Sequence, residues 1–282
     1  MPFTLSHPAA VLPFLRRPFS AAALVAGAVA PDMPYFARSV PVPVTAQSWY
    51  EPYMNATTSH GPLGAVTVAL PYALVLWGLY LVARRPVGAL LPAGAPPAPE
   101  LDGTIVLLLR RGGWVLLSLL IGIATHVVWD SFTHSDGYVV LHVPFLTAQL
   151  VGDLTWARAL QHISTVGGLV VLAVYLWRRR SRLLPGGAPG RRRTWWTLGI
   201  VGGVAAVGGA ANTVELWGGA SELPARDLVE VVLSDVATGA GAALIAALSL
   251  YVAAWWAVRG VREVGKLPDQ LPGSERPVVR DR

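Results

Sequence analysis

The sequence predicts an all-α, polytopic membrane protein, with about five transmembrane helices behind an N-terminal re-entrant or interfacial helical hairpin. Three observations carry this. Apolar residues make up 54% of the chain and charged residues only 13%, against about a quarter in soluble domains. Five runs are apolar and long enough to serve as membrane spans. The basic residues fall in short clusters beside those runs, which is the pattern of a topology signal. The net charge of +6 therefore implies no nucleic-acid binding. Cysteine is absent, so disulfides, thiolate metal sites and a cysteine nucleophile are excluded.

The first element is the least simple. Arg16 and Arg17, the apolar run after them and the Ala28-Val29-Ala30 before Pro31 imitate a secretory signal, and RRPF imitates a twin-arginine one. A proline directly after the would-be cleavage point disfavours cleavage, and no polar spacer ends the run. The reading adopted is two short helices, roughly 8–16 and 19–30, meeting at Arg16-Arg17. Each is too short to span alone, so they form a hairpin that brings His7 and Asp32 to one side. Pro31 and Pro34 bracket Asp32 and hold it in a turn.

Residues 37–61 carry several prolines and little periodicity, and read as a loop ending at His60. The first span is 63–83, with Pro71 expected to kink it and Arg84-Arg85 to stop it. A Pro/Gly/Ala linker follows. Arg110-Arg111 precede the central span, 113–131. Residues 132–161 read as a polar loop, and no strand is expected anywhere. The third span is 163–177, closed by Arg178, Arg179 and Arg180. Spans at 194–213 and 236–258 complete the set, separated by an acidic loop or surface helix, 214–235. The division is thus a metal-site membrane domain, 1–177, a two-span region, 178–258, and a cytoplasmic tail, 259–282.

The chemistry centres on THVVWDSFTHSDG, residues 125–137. His126, Asp130 and His134 recur every four residues, so on a helix each is rotated about 40° from the last and all share one face. Such groups at the end of a membrane helix cost several kcal/mol of insertion free energy, which marks them as functional candidates. Imidazole and carboxylate together suit zinc, iron or manganese. If five spans alternate with the arginine clusters inside, the C-terminus is cytoplasmic and all six histidines gather at the extracytoplasmic face. The ligand candidates are His7, Asp32, His60, His126, Asp130 and His134, with His162 at the start of the third span as a further member. His142 reads as a loop residue. The set offers enough nitrogen and oxygen for two or three divalent ions, which suits phosphoester hydrolysis. No G-x-S-x-G elbow supports a serine hydrolase.

The opening MPFTLSHPAAVLPF, the APDMPYF turn, TSHG and HVVWDSFTHSDG resemble a bacterial integral-membrane family with this N-terminus. Their ligand order is similar to that of the YdjM-like membrane-bound metal-dependent hydrolases. More distantly it resembles the zinc-dependent phospholipase C and single-strand nuclease superfamily. That resemblance implies a bacterial plasma-membrane location and zinc, with manganese or iron as alternatives, held by His7, Asp32, His60, His126, Asp130 and His134. The later H-x-x-x-E pair of the superfamily is lacking, since Val166 stands four residues after His162.

The expectation is a metal-dependent phosphoester hydrolase of the membrane, acting on a small-molecule or lipid-linked substrate, with Asp32 or Asp130 as ligand or base. The alternative is a non-catalytic metal-binding protein, a carrier or a sensor. Purely apolar spans beneath the histidines argue against a conduction path.

Overall fold

The computed structural model describes residues 4–37, 43–45, 47–90, 104–183, 191–214 and 225–264. Almost everything described is helical, as expected of a polytopic membrane protein. Four helices are long and apolar enough to cross a membrane: Pro62–Gly88, Ile105–His142, Trp156–Arg180 and Val231–Val261. The expected fifth span is also helical, Arg191–Thr213, but is not among those four. Its five glycines and paired tryptophans dilute the apolar run. The linker 91–103, most of the acidic loop before residue 225 and the tail beyond residue 264 lie outside the described residues.

The chain divides into two compact units, Met1–Leu81 with Ala98–Arg182, and Val82–Pro97 with Leu183–Arg282. All six histidines belong to the first.

The hairpin forms as expected, with one difference of type. Its first arm, Thr4–Phe14, is a 3-10 helix. Pro8 and Pro13 inside it lack the N–H that an α-helix needs. The second arm is the α-helix Ala21–Val29, capped by Ser20, whose hydroxyl accepts from the Ala23 N–H. A 3-10 turn, Ala30–Asp32, then carries Asp32 back towards Thr4.

The second arm packs on the central helix, Ile105–Thr133, through small residues. Gly27 and Gly122 face each other so closely that a Cβ on either would collide with backbone, at the Leu119 and Leu24 carbonyl oxygens respectively. Around this crossing Ala23, Ala26, Ala30, Leu119 and Ile123 form a buried core with Ala69 and Ala73 of the first span. Val11, Leu24 and Ala28 form a second small core inside the hairpin. Ser118 on the central helix bonds the Trp114 carbonyl and accepts from the Ser20 N–H at 3.0 Å, fixing where the arm begins. Without apolar driving force between helices in lipid, close backbone approach of this kind supplies the packing.

The first span begins with a π turn, Ala65–Ala69, directly before Pro71. The proline ring bars a regular bond to the carbonyl four residues back, and the wider turn absorbs the misfit. Residues 132–161 depart from the expected polar loop. They hold two short helices, Tyr138–His142 and Pro144–Thr147, and a two-stranded hairpin, Gln149–Val151 with Leu154–Thr155. The strands are too short for an alternating pattern to show. Their turn, Gly152-Asp153, is a hairpin signal, and Gly152 takes φ +54°, the left-handed region that favours glycine.

In the second unit Arg191–Thr213 packs on Ala225–Val264 where Gly208 and Gly209 meet Gly239 and Val236. The Asn212 amide donates to the Asp235 carbonyl at 3.0 Å.

The Gly27–Gly122 crossing makes a test. Glycine to alanine in a helix ordinarily stabilises by about 1 kcal/mol. Gly112→Ala, where nothing lies within 4 Å of the new Cβ, should keep or raise the melting temperature in detergent. Gly122→Ala should lower it by several degrees. Equal effects would show that the crossing does not hold the hairpin.

Candidate metal centre

The centre is assembled from three elements. Asp32 comes from the turn after the hairpin, His60 from the end of the short helix Ala56–His60, and His126 and Asp130 from successive turns of the central helix. His126 is fully buried and Asp130 and Asp32 nearly so, while the His60 side chain keeps 22% of its surface.

The protons on the two imidazoles decide what the centre can hold. His126 Nδ1 lies 2.7 Å from the Ala28 carbonyl, and His60 Nδ1 lies 2.7 Å from the Ala56 carbonyl. A carbonyl only accepts, so both Nδ1 atoms carry a proton and donate. In its neutral form each ring therefore presents a bare Nε2 lone pair inward. This is the arrangement in which histidine ligands are oriented by outer partners.

The inward atoms are Asp32 Oδ1, Asp130 Oδ2 and the two Nε2 atoms. His60 Nε2 lies 3.2 Å from His126 Nε2 and 3.1 Å from Asp130 Oδ2. His126 Nε2 lies 3.0 Å from Asp130 Oδ2 and 3.4 Å from Asp32 Oδ1, and His60 Nε2 stands 3.6 Å from Asp32 Oδ1. All four lie within 4.8 Å of one another. Four ligands on a tetrahedron with bonds of about 2.0–2.1 Å stand about 3.3–3.4 Å apart. The five distances scatter around that value. Four acceptors facing one point repel unless a cation sits between them. A proton on one Nε2 would relieve only some of these contacts, whereas a metal ion relieves all of them. These residues can hold a metal ion.

Asp130 is turned so that its other oxygen meets two further histidines. Oδ1 lies 3.5 Å from His7 Nε2 and 3.4 Å from His134 Nδ1. None of these three atoms makes a hydrogen bond, and all three are buried. His7 stacks on the His126 ring, centroids 3.8 Å apart. Burial pushes the His7 imidazole down to about 4. The ring is therefore neutral, with a nitrogen lone pair to give. Burial raises the Asp32 carboxyl, and the hydroxyl that Thr4 donates to Oδ2 acts against it.

The expected residues thus separate. Asp32, His60, His126 and Asp130 form one set, and His7 and His134 stand on the far side of Asp130. His162 is exposed on Trp156–Leu183, and no hydrogen bond, ion pair or ring contact joins it to the cluster. His142, expected in a loop, instead ends the short helix Tyr138–His142, stacked on Tyr138 with Nδ1 at the Tyr138 carbonyl.

Two supporting residues have only a faint signal in the sequence. Thr4 donates to Asp32 Oδ2 at 2.7 Å, leaving Oδ1 alone for the cluster. Ser59, fully buried, donates to the Pro31 carbonyl at 2.6 Å and so ties the His60 helix to the Asp32 turn. Both sit within three residues of a histidine, in TLSHP and TSHG, which is the only hint the sequence offers.

The family model for DUF4184, a domain of unknown function, matches residues 1–253. The chain belongs to this family. The match spans the hairpin and all residues of the cluster. No curated protein and no solved structure matches this DUF4184 chain.

Protein purified without chelators should contain bound divalent metal. Asp130→Asn or His126→Ala should remove it, and Thr4→Ala should weaken its binding about 10- to 100-fold, with Thr4→Ser restoring most of it. Elemental analysis and competition with a chromophoric chelator read both effects. Wild type that is free of metal would contradict the assignment.

Proposed function

We propose that this DUF4184 chain is a membrane-embedded, metal-dependent hydrolase of a phosphoester, lipid or lipid-linked, with its site at the extracytoplasmic face. The observation that carries the reading is the two-sided use of Asp130. Its Oδ2 belongs to a closed set of four ligands, the form taken by structural sites, while Oδ1 faces only His7 and His134. Three protein ligands with an open position are the form of a catalytic site. Two ions bridged by Asp130 would supply a hydroxide at neutral pH and neutralise charge on phosphate oxygens. Zinc fits the tetrahedral spacing best. The similarity in ligand order to the YdjM-like hydrolases supports the same reading.

The chain's own residues do the positioning. Asp32 has one oxygen in the cluster and the other held by Thr4, and both oxygens of Asp130 face histidines. Neither carboxylate keeps an oxygen free to act as a base, so both serve as ligands. His60 and His134 keep 22% of their side-chain surface each and mark the open side. His7 and His126, almost fully buried, close the other.

The arginines support the choice of membrane side. Arg110 and His126 are sixteen residues apart on one helix, about 24 Å along its axis. Arg84 and Arg85 lie at the far end of the first span from His60, and Arg178, Arg179 and Arg180 at the far end of the third from Trp156. The positive-inside rule supports a site outside and, with Arg191–Thr213 crossing as a fifth span, a C-terminus in the cytoplasm.

The closed geometry of the first set favours one other reading, a metal-binding protein without catalysis, such as a sensor. Hydrolysis distinguishes the two. In lipid vesicles the metal-loaded protein should cleave a phosphomonoester or phosphodiester, a chelator should abolish this, and added zinc should restore it. His134→Ala should lower the rate at least about a hundredfold while the Asp32–His60–His126–Asp130 ion is retained. Equal residual rates for wild type and His134→Ala across a phosphoester panel would leave only the metal-binding reading.

A further inference from the structure

The segment between the central and third spans carries a property that the metal centre does not use. It leaves the His134 turn at Gly137, where a Cβ would crowd the Ser131, Asp130 and His134 carbonyls, so the segment is fastened directly to the helix end that bears the site. It then folds on itself. Val140, Leu146 and Ala157 form a buried cluster with Val139 and Trp156, and Ala157 belongs to the first turn of the third span. Phe145 packs at a tilt against Trp156 with centroids 4.7 Å apart. With this small core satisfied, a second apolar set points outward: Tyr138, Leu141, Phe145 and Val151 are 57–74% exposed. Asp153 is the only formally charged residue between 138 and 155.

We infer that residues 138–155 form an interfacial anchor seated at the polar–apolar boundary of the bilayer, beside the open side of the metal centre. Lipid is the occupant because the surface is continuous with the membrane-facing surface of the two helices it joins. Both of those helices are spans, so the segment begins and ends at the membrane face. Its outward side chains match that depth. Tyr, Phe and Trp are the aromatics of a membrane interface, and aliphatic Leu141 and Val151 have nothing to gain from water. The exposed neighbours of the site on the central helix, Val128, Trp129 and Phe132, extend the same apolar surface up to His134. A phosphoester carried on a lipid would thus reach the site along the membrane surface. That consequence rests on the hydrolase reading, whereas the anchor does not.

The absence of cysteine makes the test direct. Leu141→Cys, Val151→Cys and Ser135→Cys are each labelled with an environment-sensitive fluorophore, and the protein is reconstituted in phosphatidylcholine vesicles. Probes at 141 and 151 should emit blue-shifted, be quenched by lipids doxyl-labelled at acyl carbon 5 and resist aqueous iodide. The probe at 135, in the turn before the segment, should be quenched by iodide. Iodide quenching at 141 and 151 equal to that at 135 would overturn the anchor. In a second arm, Leu141→Asp with Val151→Asp should raise KM for a lipid phosphoester about tenfold and leave hydrolysis of a water-soluble one unchanged. A rise for both substrates, or for neither, would overturn lipid delivery; absence of any hydrolysis would count against the hydrolase reading and leave the depth measurement standing.

Discussion

Four ligand atoms facing one point, with little access to water, are the constraint on which the rest of this structure depends. Buried carboxylates and imidazoles each cost several kcal/mol to dehydrate, and mutual repulsion adds to that. A structural zinc ion contributes about 10–16 kcal/mol in small domains, enough to offset such a burden. The surrounding fold is consistent with that trade. The hairpin is held against the central helix by glycines and alanines, packing that tolerates no displacement, because the Ala28 carbonyl must meet His126 Nδ1 at 2.7 Å. The same approach puts Asp32 beside His126 and Thr4 over Asp32.

Much of this was legible in the sequence. The four-residue spacing of His126, Asp130 and His134 needs only the helical period, and the structure keeps the first two on one continuous helix. The pairing of the hairpin's ends was legible because two arms too short to span have to return, and the Thr4–Asp32 bond shows that they do. That His60 joins the centre was legible only through the alternation of spans, which puts the start of one helix beside the end of the next.

The rest was hidden for physical reasons. Whether a helical histidine reaches a cluster depends on which way its helix is turned, and the exposed position of His162 cannot be read from its place beside a span. The roles of Thr4 and Ser59 arise from contacts 28 residues away in each case, and no local pattern encodes such a partner. The ordered segment after His134 was obscured by its mixed composition: polar turn residues interrupt every apolar run, so neither helical nor strand periodicity has room to develop. The division of Asp130's two oxygens between two sets of ligands is a matter of one torsion angle, and a sequence holds no record of it.

The account stands on a metal ion being held by Asp32, His60, His126 and Asp130, and X-ray absorption at the zinc edge of the zinc-loaded protein tests this most directly. A first shell of nitrogen and oxygen at about 2.0–2.1 Å, with outer-shell scattering from at least two imidazoles that diminishes in His60→Ala, is the expected spectrum. A shell of six light atoms without imidazole scattering, unchanged by that substitution, would show an adventitious hydrated ion and contradict the centre described above.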